Sequence, residues 1–186
     1  MNDDLRALIR TIPDYPKPGI QFRDITTLLL DGKGFGLTIE RLAAGIGANK
    51  DNAAAVGPAP DLIAGIEARG FIFGAALAHK LGCGLVLLRK QNKLPGRVTG
   101  INYALEYGQD RIEMHSDAIT TGARVLLVDD LIATGGTALA AIDLLRSAGA
   151  VVDSAHFVID LPDLGGAARL RAAGVAVTAL ADFAGD

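Results

Sequence analysis

At 186 residues, half of them apolar, the chain has the length of one domain with its own core, and its 23 glycines suit close-packed α/β layers rather than a disordered tail. A net charge of −3, from 18 basic and 21 acidic side chains, excludes the broad cationic face of a nucleic-acid binder, so no nucleic-acid partner is expected. Cys83 is the single cysteine and admits no internal disulfide, the start Met1-Asn2-Asp3-Asp4 has no secretory pattern, and no apolar run approaches the ~20 residues of a membrane span; a soluble cytoplasmic protein is expected.

Leu5, Leu8, Ile9 and Ile12 share one helical face, with Asn2 or Asp3 as a cap, and Pro13, Pro16 and Pro18-Gly19 end that helix in an irregular segment. A second amphipathic helix is expected over 35–48, with Phe35, Ile39, Leu42 and Ile46 inward, and residues 53–60 read as a loop. Leu62–Ile66 is a short apolar run of buried-strand type, followed by the turn Glu67-Ala68-Arg69-Gly70 and a helix over 71–81 that Gly82 stops. Leu85–Leu88 repeats the buried-strand pattern. Residues 101–107 alternate, as do Ile112 and Met114 after Gly108-Gln109-Asp110, which predicts a hairpin. Val125–Val128 is a third buried strand, followed by a glycine turn and a helix over 137–147, and strands at 151–159 and 175–180 complete the alternation. Short apolar strands alternating with helices predict an α/β fold, a mostly parallel central sheet flanked by helices. The whole chain reads as a single domain, residues 1–33 being its N-terminal appendage.

The stretch Val128-Asp129-Asp130-Leu131-Ile132-Ala133-Thr134-Gly135-Gly136-Thr137 carries the most chemistry. Ligands of open α/β sheets bind beyond the carboxyl ends of strands, where Asp129 and Asp130 are expected. Backbone N–H groups of the turn Ala133–Thr137, the Thr134 and Thr137 hydroxyls and the positive end of the next helix would cradle a phosphate. Two carboxylates would repel that phosphate unless they bind something else, and sugar hydroxyls or hydrated Mg²⁺ suit them. A phosphate cradle beside hydroxyl-binding acids describes a ribose 5-phosphate site. No lysine follows the glycines, which excludes a Walker A loop, and the Gly-x-Gly-x-x-Gly dinucleotide pattern is absent.

This stretch resembles the signature of the type I phosphoribosyltransferases, and nearly the whole chain resembles the adenine-using branch of that family. Pro16-x-Pro18-Gly19-Ile20-x-Phe22-Arg23-Asp24-Ile25, Glu67-Ala68-Arg69-Gly70-Phe71, Arg89-Lys90-x-x-Lys93-Leu94-Pro95 and Leu105-Glu106-Tyr107-Gly108 match in order and spacing. The resemblance implies the type I phosphoribosyltransferase fold, with a small N-terminal hood over residues 1–33 and a flexible hairpin flap over 89–115. It implies transfer of ribose 5-phosphate from 5-phosphoribosyl 1-diphosphate (PRPP) to adenine, with Mg²⁺ as cofactor and a homodimer as the assembly.

Residue by residue, the resemblance gives Asp129 and Asp130 to the ribose and Ala133, Thr134, Gly135, Gly136 and Thr137 to the 5-phosphate. No side chain is a certain metal ligand; Mg²⁺ comes with the substrate, and Asp129 and Asp130 are its candidates. Glu67, Ala68 and Arg69 would bind pyrophosphate, with a cis peptide between Glu67 and Ala68; alone, such a turn is as readily structural. Arg89, Lys90, Lys93 and Arg97 put four cations into nine residues, which by itself suits a solvated loop. The resemblance gives Lys90, Lys93 and Tyr107 to the leaving pyrophosphate and sends Arg89 to the neighbouring subunit's site. Glu106, otherwise a plain surface acid, becomes the catalytic carboxylate. In the hood, backbone groups around Gln21 and the Arg23 side chain would read the adenine edge, with Phe22 against the ring and Leu161 on its other side. Gln21 stands where the family usually has an aliphatic residue. His79, His115 and His156 have no partners at metal-ligand spacing and are read as packing residues, and Cys83 as inert. The alternatives are transfer to hypoxanthine, xanthine or orotate, and a regulatory protein that senses PRPP.

Overall fold

In the computed structural model, residues 2–44, 46, 58–104 and 108–184 are described, with the Ala104 side chain left out. Seven strands make the central sheet: β3 (Leu62–Ile66), β4 (Gly84–Lys90), β5 (Val98–Ala104), β6 (Gln109–His115), β7 (Arg124–Ile132), β8 (Val151–Asp160) and β9 (Ala176–Asp182). Their order is β5-β6-β4-β3-β7-β8-β9. The pairs β3–β4, β3–β7, β7–β8 and β8–β9 are parallel, and the antiparallel hairpin β5–β6 joins through the end of β4 at Arg89↔Glu113 and Lys90↔Ile112.

Strand periodicity divides the core. Val125 and Leu127 pack into a cluster with Ala141, Ile142 and Leu145 of α5 (Gly136–Ser147) and with Leu170 of α6 (Gly166–Ala172). Leu126 and Val128 pack into the other cluster with Leu5 of α1 (Asp3–Ala7), Leu42 of α3 (Gly32–Ala43) and Phe73 and Leu77 of α4 (Gly70–Leu81). Both faces of β3 and β7 are therefore covered, which is why they read as unbroken apolar runs; on β4 only Val86 and Leu88 are buried, and Leu85 and Leu87 stay exposed against the expectation of a buried strand there. Gly82 ends α4 in the left-handed conformation, φ +69°. Asp31 caps α3, its carboxylate accepting from the N–H groups of Lys33 and Gly34.

The N-terminal segment departs from the pattern reading. Its helix stops at Ala7, and β1 (Arg10–Pro13) pairs antiparallel with β2 (Gln21–Asp24) in a separate two-stranded sheet, Thr11 opposite Arg23 and Ile12 opposite Phe22. Leu5 and Ile9 are buried as expected, but Ile12 follows strand geometry, because β2 offers a ladder that helical phase cannot reveal. A short helix, α2 (Thr26–Leu30), follows. The second helix spans 32–43 rather than 35–48; Ile39 and Leu42 are buried, Phe35 and Ile46 pack beside them, and residues 47 and 48 lie outside the described residues, as does most of the expected loop at 53–60. The hairpin runs over 98–104 and 109–115. No helix among the described residues is long and apolar enough to cross a membrane.

Candidate active site

Strand β7 runs on through Asp129 and Asp130 to Ile132, so the acids lie within the strand and not past its end. The reason is its two neighbours. β3 pairs with β7 only as far as Gly65↔Val128, whereas β8 accompanies it to Ile132↔Asp160. The acids thus stand where one neighbour has ended, opening a cleft of about 250 Å³. Its walls are Glu67-Ala68-Arg69 from the turn after β3, Lys90 from the end of β4, Asp129 and Asp130, and the turn Ala133–Thr137.

That turn is built to present backbone donors. Gly135 has φ +81°, and a Cβ there would come within 3.0 Å of Gly166 Cα. No side chain caps the first turn of the 12-residue helix α5, which leaves its N–H groups for a ligand. The turn is braced from behind: the Gly166 N–H donates to the Ala133 carbonyl (3.0 Å) and Arg169 to the Thr134 carbonyl (3.1 Å). Neither bracing residue was anticipated; the paired Gly165-Gly166 before a helix is the one sequence signal for such close approach.

Asp130 is buried, and Arg69 Nε stands 3.0 Å from its Oδ2. The contact is an ion pair by distance but misses hydrogen-bond geometry, so this buried oxygen lacks a donor. The Arg69 charge offsets part of the cost of burying this acceptor without a hydrogen bond, on the order of 1–3 kcal/mol. Asp129 Oδ1 accepts from the Asp130 N–H at 2.9 Å. Burial first, and then the Asp130 charge, push the Asp129 carboxyl well above the usual range; burial also raises Asp130, with Arg69 pulling it back. Among the described residues no cluster of three or more histidine, cysteine or acidic side chains forms a metal cage, but two carboxylates suit a cation that arrives with phosphates and keeps water.

The Glu67–Ala68 peptide is cis. Glu67 accepts from Arg89 (2.8 Å) and from the Lys90 N–H (2.8 Å); burial would raise its carboxyl, but these donors outweigh burial and lower it. The other Arg89 amino group donates to the Lys93 carbonyl at 2.8 Å, so this guanidinium folds back onto its own chain. Lys90 reaches the cleft and pairs with Asp110 of the hairpin, whereas Lys93 is exposed and does not line the cleft. Glu106 and Tyr107 lie outside the described residues.

From β2, the Phe22 ring centre stands 5.5 Å from the Arg69 guanidinium, which brings the two-stranded sheet to the cleft. Gln21 is half-buried opposite Pro13, and Leu161 is buried just past β8, its N–H donating to the Ile132 carbonyl. The Arg23 side chain has partners of its own within the chain. Its guanidinium is buried, donates to Thr11 Oγ1 (2.6 Å) and the Ala184 carbonyl (3.0 Å), and lies over the Phe183 ring. It is committed to Thr11 and the C-terminal segment, while the Arg23 backbone lies in the ladder opposite Thr11.

A sheet of this order, with paired acids and a glycine turn at one cleft, defines a phosphoribosyltransferase, and residues 26–171 match the phosphoribosyl transferase domain family, to which this chain belongs. Relatives narrow the class. The chain is 56% identical to the adenine phosphoribosyltransferase of Sphingopyxis alaskensis over 98% of its own length and 95% of that protein. The crystal structure of adenine phosphoribosyltransferase from Thermoanaerobacter pseudethanolicus superposes with a TM-score of 0.88 at 45% identity, over 97% of this chain and 99% of that one. An APRTase from Giardia lamblia complexed with 9-deazaadenine gives 0.85 at 33% identity, over 97% of both chains. Within the family the chain groups with the adenine phosphoribosyltransferases.

Proposed function

We propose that the chain transfers ribose 5-phosphate from PRPP to adenine, giving AMP and pyrophosphate, a purine-salvage reaction. The bond from C1 of the sugar to the diphosphate oxygen breaks, a bond from C1 to a ring nitrogen of adenine forms, and that nitrogen gives up its proton. The observation that carries this reading is the pair of carboxylates Asp129 and Asp130 lining one cleft with an uncapped helix start, since together they suit a ligand with donor hydroxyls next to a phosphate.

Asp129 and Asp130 hold the ribose hydroxyls, and Ala133–Thr137 hold the 5-phosphate. Arg69 and Lys90 face the diphosphate as it leaves, with Lys93 and Tyr107 joining them on the strength of the family resemblance. Glu67 and Ala68 supply the turn that aims Arg69. Glu106 is the catalytic carboxylate by the same resemblance, placed to stabilise the cationic sugar or to accept the proton. Phe22, Leu161 and the backbone of Gln21 and Arg23 enclose the base. Mg²⁺ neutralises the diphosphate charge when bound, and Asp129 and Asp130 are the carboxylates available to its water shell. Residues 1–33 serve as hood and 89–115 as flap of one domain.

A homodimer fits the exposed apolar side chains Ile72, Leu85 and Leu87 on α4 and β4, next to Arg89. Sedimentation at the mass of one chain would refute it. The function itself is tested by pyrophosphate release with adenine, hypoxanthine, xanthine and orotate, each with and without Mg²⁺. Release with adenine that stops on chelation is expected. Greater turnover of another base overturns the assignment, and tight PRPP binding without release favours a sensor.

A further inference from the structure

Tyr103 of β5 has no role in the reading above, yet its hydroxyl joins two walls of the cleft. Lys90 Nζ donates to it at 2.7 Å and Thr137 Oγ1 at 3.3 Å, while the hydroxyl itself donates to the Asp110 carboxylate at 3.2 Å. Lys90 also pairs directly with Asp110, and its ammonium lies 5.3 Å from the Tyr103 ring centre. The hairpin thus ties up Lys90, which lines the cleft, together with a hydroxyl of the turn after β7.

The cluster is half-buried, the Lys90 and Asp110 side chains being 38% and 26% exposed, so water and salt weaken it less than an open surface pair. Burial would lower the Lys90 ammonium, but its bonds to Asp110 and Tyr103 outweigh burial and raise it; the Asp110 carboxyl is correspondingly lowered by Lys90. Both groups are therefore charged at neutral pH. A phosphorylated donor that takes Lys90 and Thr137 must first displace a carboxylate from one and a phenol from the other.

We infer that Tyr103 and Asp110 set the affinity for the diphosphate donor by competing with it for Lys90 and Thr137. The inference rests on the proposed donor site. It makes Tyr103 and Asp110 affinity-determining residues of the free protein, with no part in the bond-making step. Their removal releases binding groups instead of deleting them, which is the opposite of what removing a ligand contact does.

Tyr103→Phe keeps the ring and removes the hydroxyl, and Asp110→Asn keeps the shape and removes the charge. The dissociation constant of PRPP with Mg²⁺ is measured by calorimetry on the full chain, alongside KM for adenine. Each variant is expected to bind PRPP about threefold tighter or better, with KM for adenine unchanged. Weaker PRPP binding overturns the inference, because the cluster would then hold Lys90 in its working pose. Unchanged binding overturns it as well. A wild-type chain that does not bind PRPP overturns the functional reading, and this inference with it; a wild type that binds while both variants merely match it sinks the competition alone.

Discussion

Gly70 opens α4 directly against the paired acids, and the Gly70→Ala variant tests whether their placement matters. A Cβ at this position would lie 2.7 Å from Asp129 Oδ1, 2.9 Å from the Val128 carbonyl and 3.1 Å from Asp129 Cα. Two of these are backbone atoms of a strand that is also paired with β8, so turning the Asp129 carboxylate aside would relieve only the first contact. Reaching even a tight contact needs the helix start and β7 to part by about half an ångström. Overpacking of this kind costs about 1–3 kcal/mol, from which the helix preference of alanine over glycine recovers at most about 1. Since a misplacement of about 1 Å at a catalytic group can lower a rate by about 10², a shift of half that size is expected to lower kcat/KM for PRPP roughly tenfold. Thermal unfolding gives the stability change and pyrophosphate release gives the rate. A variant with lowered Tm but kcat/KM within twofold of wild type would refute the reasoning, because Asp129 would have moved without consequence for the sugar.

Asp129→Asn combined with Asp130→Asn should lower turnover by about a hundredfold or more while raising Tm at pH 7. The sign follows from linkage: both folded carboxyls titrate above their unfolded values, so ionising them opposes folding as pH rises, and the stability advantage of the variant should vanish below about pH 4. Survival of activity within tenfold would remove the ribose assignment. Asp24 behaves oppositely. Hydrogen bonds from Thr26 and Arg10 lower its carboxyl to about 2, so its contribution is complete above about pH 4 and is lost as pH falls toward 2. Asp24→Asn should cost about 1–2 kcal/mol at pH 7 and flatten the acid limb of the unfolding profile, measured by circular dichroism; an unchanged limb would show that another carboxylate governs it.

The apolar runs at 62–66 and 125–128 announced buried strands because covering both faces of a parallel sheet leaves no polar alternation to confuse the reading, whereas the run at 85–88 proved buried only at Val86 and Leu88, with Leu85 and Leu87 exposed. The strand, glycine turn and helix start over 125–147 were equally legible, since a turn of small residues between two regular elements is written in consecutive residues. What tertiary structure alone decided are the encounters between distant segments. Residues 10–13 became a strand through a partner at 21–24, and the Arg23 guanidinium went to the C-terminal segment at Phe183 and Ala184. The acids gained their cleft because β3 stops at Ile66 while β8 continues, a difference in strand length that no single segment encodes. Tyr103, Asp110, Gly166 and Arg169 met the glycine turn after β7 and Lys90 only through the sheet's order. Short-range pattern fixes backbone preference and which face is apolar; which charges find each other depends on the long-range register, and that exists only once the chain has folded.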